Sequence, residues 1–231
     1  MRHKTIFNWS GGKDSSLALY NILKDDQFEI FGLLTSINSA FRRVSMHGVR
    51  EELLDEQASR LKLPLYKLQL PEQPSMDEYN GEMSKMMQGL RNKGFTHSVF
   101  GDIFLEDLKK YREEKLEKAG FKAVFPIWKR DTTELVHEFI ELGFKTILVC
   151  VKAELLDESF AGRIIDKQFL NDLPAGVDPC GENGEFHTFV FDGPIFDHPI
   201  DIEIGEKVFK EYKSPESSGN MGFWFCDIKM K

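Results

Sequence analysis

Cysteine is scarce in this chain of 231 residues. There are three, Cys150, Cys180 and Cys226, and no two form a C-x-x-C pair. That spacing excludes a zinc knuckle or an iron–sulfur cluster held by paired thiolates, and a low, odd count suits a reducing compartment. Long apolar runs are missing as well. No stretch approaches the roughly 18 residues of a membrane span, and the apolar run in the N-terminal MRHKTIFNWSGG is too short and interrupted for a secretory leader. Basic excess is also lacking. Lys plus Arg number 30 against 38 Asp plus Glu, a formal charge of −8, which argues against extensive contact with nucleic-acid backbone but leaves room for a local basic site. There is no internal repeat. The expectation is a cytoplasmic protein with no membrane partner. What remains is an ordinary globular balance, 41% hydrophobic and 29% charged, long enough for a main domain and a smaller one.

Apolar patterning supplies the order of elements. KTIFNW (4–9) reads as a buried strand, 14–24 as a helix, FEIFGLLT (28–35) as a second strand. Val49, Leu53, Leu54, Ala58 and Leu61 form a helical stripe that Pro64 stops. LYKLQL (65–70), a helix marked by Met76 to Leu90, the short strand HSVF (97–100), a charged helix (105–120) and KAVFPIW (122–128) follow. Strand–helix alternation of this kind predicts an α/β fold, a parallel sheet flanked by helices of the HUP/Rossmann-like type. Beyond it lie a helix begun by Asp131 and Glu134, the strand 145–151, a Gly/Pro/acid-rich segment 173–194 and a strand 201–209. These predict a smaller C-terminal α/β domain. The boundary falls at 128/129, dividing a larger domain (1–128) from a smaller one (129–231). The terminal aromatic cluster FWF is either packed under its domain or part of an interface, such as that of a homodimer.

Ligands of parallel sheets sit beyond the carboxyl ends of the strands. Thr35, Gly101, Asp102 and the turn Ser10-Gly11-Gly12-Lys13-Asp14-Ser15 all fall there. Glycines let backbone N–H groups converge on an anion, the following helix adds its positive N-terminal end, and Lys13 adds a full charge. The guest this predicts is a phosphate group. The spacing fits neither the Walker loop nor G-x-G-x-x-G.

S-G-G-K-D-S after a first strand resembles the PP-loop of the N-type ATP pyrophosphatases, the adenine nucleotide alpha hydrolase-like superfamily. Four further stretches narrow the resemblance: SMHGVREELLDEQASRLKLPLY (45–66), VFGDIFLEDLKKYREEKLEKAGFKAVFPIW (99–128), LDESFAGRIID (156–166) and DPCGENGEFHTFVFDGPIF (178–196). In this order they resemble the diphthine–ammonia ligase family. That resemblance implies ATP with Mg²⁺, a carboxylate substrate such as diphthine on elongation factor two, and free ammonia. The carboxylate attacks the α-phosphate, forming an acyl-adenylate and pyrophosphate, and ammonia then displaces AMP.

The resemblance also distributes roles, making 1–128 the ATP-binding domain and 129–231 the substrate-binding domain. Ser10, Gly11, Gly12, Lys13, Asp14 and Ser15 would hold the nucleotide with Thr35, His47, Gly101 and Asp102. Asp14 caps its helix or reaches the magnesium shell through water. Asp102 holds a ribose, a metal-bound water or ammonium. Lys13, Glu182, Glu185 and His187 would be catalytic. If 185–191 is a strand, Glu185 and His187 share a face. Arg112, Glu113, Cys180, Gly181, Gly184 and Thr188 would contact the acid substrate, and Asn183 is expected to matter little. Two other readings stay open: a PP-loop enzyme that modifies tRNA, and a non-catalytic module that binds ATP or AMP.

Overall fold

The computed structural model describes residues 1–44, 48–213 and 220–231. Its first half is a mostly parallel sheet. Strands β1 (His3–Asn8), β2 (Phe28–Asn38), β4 (Leu65–Leu70), β5 (His97–Val99) and β6 (Lys122–Val124) lie in the spatial order β4-β2-β1-β5-β6, and a two-residue strand β3 (Arg43–Val44) pairs antiparallel with the end of β2. Helices α1 (Lys13–Ile22), α2 (Glu51–Leu61), α3 (Met76–Asn92) and α4 (Glu106–Lys118) make the crossovers. The chain runs outward from β1 through β2 to β4, then returns to the other side of β1 as β5. The order therefore reverses between β1 and β5, and a crevice opens at their carboxyl ends.

The second half is a four-stranded antiparallel sheet, β8 (Phe186–Asp192), β7 (Lys145–Lys152), β10 (Asn220–Met230) and β9 (Ile202–Lys213) in that order, with helices α5 (Thr132–Glu141) and α6 (Lys167–Asp172). Asp131 caps α5 by accepting the Glu134 amide, as expected. One expected strand is shorter, two short elements are new, and the terminal aromatic cluster finds its place. The strand expected over 122–128 stops at Val124, with Pro126 in the turn that follows. α6 and β3 were too short to show a period. The FWF cluster belongs to β10, an inner strand between β7 and β9.

One apolar cluster unites the sheets. Phe7, Leu17, Leu53 and Leu54 of the first half are packed into the same buried cluster as Ile147, Phe169, Phe189 and Val190 of the second. A separate cluster, with Ile6, Leu90, Phe95, Phe100 and Leu116, holds α3 and α4 against the other face of the parallel sheet. A polar tie reinforces the union: Asp227 of β10 accepts hydrogen bonds from both Arg43 (3.0 Å and 3.1 Å) and Arg50 (2.6 Å and 3.1 Å). The Arg43 and Arg50 hydrogen bonds hold the Asp227 carboxyl below its usual range even though burial pushes it upward. Asp227→Asn is expected to cost about 2 kcal/mol at neutral pH, the scale of hydrogen bonds to a charged group. A carboxylate depressed in this way stabilises above its unfolded pKa and ceases to do so as pH falls through its folded value. Urea melts of the variant and the parent should therefore converge once pH falls below the ordinary aspartate range.

Candidate functional site

The loop from Ser10 to Ser15 leaves β1 at the switch point and enters α1. Gly11 sits at φ 79°, a conformation that favours glycine. Gly12 is the N-cap, with no side-chain cap, so the expectation that Asp14 caps the helix is corrected. The loop is tightly enclosed. A Cβ on Gly12 would lie 3.1 Å from the Thr188 carbonyl oxygen, and one on Gly101 would lie 2.9 Å from the Ser15 amide nitrogen. Ser10 Oγ lies 3.0 Å from Ser15 Oγ and accepts the Gly12 amide at 3.3 Å, while Ser15 Oγ donates to the Gly12 carbonyl.

Lys13 is 3% exposed and its ammonium meets the Asp14 carboxylate. Burial works against the charge, but Asp14, Cys180 and Glu182 outweigh it and hold the pKa above the ordinary lysine value. This is a permanently cationic group at the foot of a cleft of about 900 Å³, the scale of a ligand site. Ser10, Gly12, Asp14, Ser15, Thr35, Gly101, Asp102 and Arg112 line the cleft from the parallel-sheet half. Cys180, Gly181, Glu182, Gly184, His187 and Thr188 line it from the other half. Asp102 and Arg112 form an ion pair at 3.2 Å, and the guanidinium lies 4.2 Å from the Phe100 ring centre. Burial raises the Asp102 pKa against the pull of Arg112, and lowers that of Arg112. Asp102 Oδ2 is buried without a hydrogen-bond partner.

Glu182 is the second ionisable centre. Burial, then the charge of Asp14, push its pKa up to about 8 against the pull of Lys13, with Asp178 and Asp102 adding to the push. At neutral pH it carries a proton. Burial, then the charge of Lys13, bring His187 down to about 4, so its imidazole is neutral. Burial pushes the Cys180 thiol up to about 12, and the thiol donates to the Thr132 carbonyl. Cys180 is a wall of the cleft and carries no thiolate chemistry.

Four expectations change, each for a local reason. Glu185 is 2% exposed and lies outside the cleft lining. Its carboxylate accepts the Asp178 amide (3.0 Å), the Asn183 amide (2.8 Å) and Asn183 Nδ2 (3.1 Å). It precedes β8 rather than starting it, and it holds the loop 178–183 in shape; it is not a catalytic carboxylate. Asn183, expected to matter little, supplies two of those three donors. Glu113 points off α4 toward Lys109 at 3.6 Å and does not line the cleft. Thr188 lines the cleft, but its Oγ1 also accepts the Lys13 amide at 3.0 Å. It thereby satisfies one of the N–H groups that every helix start leaves unpaired. The expected nucleotide contact His47 lies outside the described residues.

Two residues were overlooked. Asn8 ends β1 and donates from Nδ2 to Ser98 Oγ and the Val99 carbonyl, both at 2.8 Å, fixing the two strands that flank the switch point. Gln57 of α2 is fully buried beneath the loop. Its signal was present in the sequence: it lies four residues after Leu53 and three after Leu54, a polar side chain on an apolar stripe.

Among the described residues no group of three or more His, Cys, Asp or Glu side chains forms a metal site, and no helix is long and apolar enough to cross a membrane. Comparison with known proteins adds the following. Residues 3–123 match the diphthamide synthase N-terminal domain and residues 131–216 the diphthamide synthase C-terminal domain. The chain is 25% identical over 228 residues to the diphthine–ammonia ligase of Rattus norvegicus, covering 86% of this chain and 82% of that protein. It is 25% identical over 175 residues to the diphthine–ammonia ligase of Bos taurus, covering 69% and 66%. With that of Schizosaccharomyces pombe it shares 27% over 147 residues, 62% of this chain and 23% of the yeast protein.

Proposed function

Because this chain belongs to the diphthamide synthase family, we propose that it is an ATP-dependent, AMP-forming ligase that joins ammonia to a carboxylic acid, diphthine or a close relative. The observation that carries the reading is the pairing, in one cleft, of a buried cationic loop at a helix N-terminus with a carboxyl group whose pKa is about 8. The first suits a triphosphate. The second suits proton transfer near neutral pH.

A carboxylate is a poor acyl donor until its oxygen is made a leaving group, which transfer to the α-phosphate achieves. In this reading the loop amides and the Ser10 and Ser15 hydroxyls orient the triphosphate, and Lys13 offsets the charge that grows on the departing pyrophosphate. Arg112 faces the acid. In its carboxylate form, which grows as pH approaches 8, Glu182 receives the proton that the attacking ammonia must shed. Magnesium fits the donor set: Asp14 opens into the cleft, and Asp102 Oδ2, ion-paired with Arg112 at 3.2 Å, accepts no hydrogen bond there. These two residues would hold it, with phosphate oxygens and waters completing the shell, and it would supply neutralisation of phosphate charge. The domain division near 128/129 belongs to the same reading, with the loop 178–184 presenting the acid side of the site.

The test is product analysis of labelled MgATP, with and without ammonium and with diphthine-bearing elongation factor two. AMP and pyrophosphate are expected only when both are present. ATP binding without diphthine-dependent AMP would remove diphthine as the acid, and ADP as product would overturn the mechanism. A chain that binds ATP but forms no AMP with any acid would be a binding module.

A further inference from the structure

The side chain of Gln57 makes three hydrogen bonds to three different parts of the chain. Its Oε1 accepts the indole N–H of Trp9 at 2.8 Å. Its Nε2 donates to the Gly11 carbonyl at 3.0 Å and to the Val190 carbonyl at 2.6 Å. The Val190 amide in turn donates to the same Gly11 carbonyl at 2.9 Å. The phosphate loop is thus tied from below to α2 and from the side to β8, two residues from the point where Thr188 accepts the Lys13 amide. The fit is close: a Cβ on Gly11 would lie 2.7 Å from Gln57 Oε1. Gln57 itself does not line the cleft.

We infer that Gln57 is a positioning residue that sets the spacing between the phosphate loop and the strand carrying His187 and Thr188. The carboxamide is the group the place requires. It presents one acceptor and two donors in one plane, matching one N–H and two carbonyls. A glutamate has the same shape, but ionised it only accepts, and it would face two carbonyl oxygens. Leucine fills the space and leaves the Trp9 N–H and Val190 carbonyl without this partner. In either variant the loop keeps only the direct Lys13–Thr188 and Val190–Gly11 hydrogen bonds to β8 and loses the brace from α2, so the loop backbone and the Lys13 ammonium no longer hold one fixed spacing around an anion.

The inference rests on the loop being a nucleotide site, as the proposed function has it, and is tested by binding rather than turnover. In the full chain, Gln57→Glu and Gln57→Leu are expected to weaken MgATP about tenfold or more by calorimetry, at temperatures where circular dichroism shows both folded. Gln57→Glu should recover affinity as pH is lowered and its carboxyl regains a donor, while Gln57→Leu should not. In the parent, the Gln57 side-chain amide resonances should shift on ATP addition although Gln57 lies outside the cleft. ATP affinities within twofold of the parent in both variants, or unmoved amide resonances at saturating ATP, would overturn the inference. A parent that binds ATP without ever forming AMP would sink the ligase reading and leave Gln57 standing. A parent that binds no ATP would overturn both.

Discussion

Lys13→Met is expected to lower AMP release by about 100- to 1,000-fold, the cost of losing one preorganised charge at a developing anion, with a modestly lower melting temperature in a chain that still folds. The two halves of that result have separate causes. Lys13 is 3% exposed, so folding strips it of water, yet its raised pKa shows that the surrounding acids more than compensate. Methionine keeps the length and apolar volume of the stem but removes one partner of the pair, which costs stability. The cost is limited because Asp14 is a third exposed on its side chain and returns to solvent. Calorimetry of melting beside labelled-ATP turnover checks both halves. A variant that no longer folds at the assay temperature would make Lys13 a structural residue.

Glu182→Gln should separate the two chemical steps. Acid-dependent exchange of labelled pyrophosphate into ATP reports the first, and it is expected to persist. Amide formation at fixed free ammonia reports the second, and it should fall by about 100-fold or more, the usual contribution of a positioned base. The same variant carries a stability signature whose direction is set by the pKa. Glu182 in the folded chain titrates at about 8, above the 4.5 of an unperturbed glutamate. Between those values the folded state keeps a proton that the unfolded chain has released. The stability associated with that proton is complete below about pH 4.5 and is lost as pH rises through about 8. A carboxamide in its place does not titrate, so Glu182→Gln lacks this slope. The variant's melting temperature should match the parent's near pH 5 and exceed it at pH 8. A gap that stays constant with pH would remove the proton from Glu182, and with it the base.

The parallel sheet was legible because helices and strands there have unmixed periods. Leu53, Leu54, Ala58 and Leu61 mark α2, and β1 and β2 each carry a run of consecutive buried residues, 5–7 and 32–35. The antiparallel half was harder. In β10 the run Phe223, Trp224, Phe225 and Cys226 puts apolar side chains on both faces, so no alternation shows, and β9 runs four residues beyond the expected end. The loop chemistry of Ser10 to Ser15 was readable from residue type alone. Adjacent Arg112 and Glu113 could not both face the cleft, since neighbouring helical residues point about 100° apart. Glu185 took a catalytic role from the resemblance, and residue type alone could not show that the carboxylate turns back on its own loop. The turning backbone of 178–183 needs an acceptor for its amides, and Glu185 is that acceptor. Thr188 and Gln57 act across some 175 and 46 residues of chain, on the Lys13 amide and the Gly11 carbonyl. Pairing at that distance leaves no local pattern.

The shared apolar cluster and the hydrogen bonds from β8 to the loop have a consequence for how the chain opens. Amide hydrogens exchange through the smallest unit whose opening frees them. The Lys13 and Val190 amides belong to opposite halves of the sequence, yet each is released only when the loop and β8 part. They should exchange at one common, slow rate, that of whole-molecule unfolding, while the wing formed by α3 and α4, packed in its own cluster, exchanges faster. The ATP side of the site is then held by the most durable part of the molecule, and substrates enter past the side that breathes.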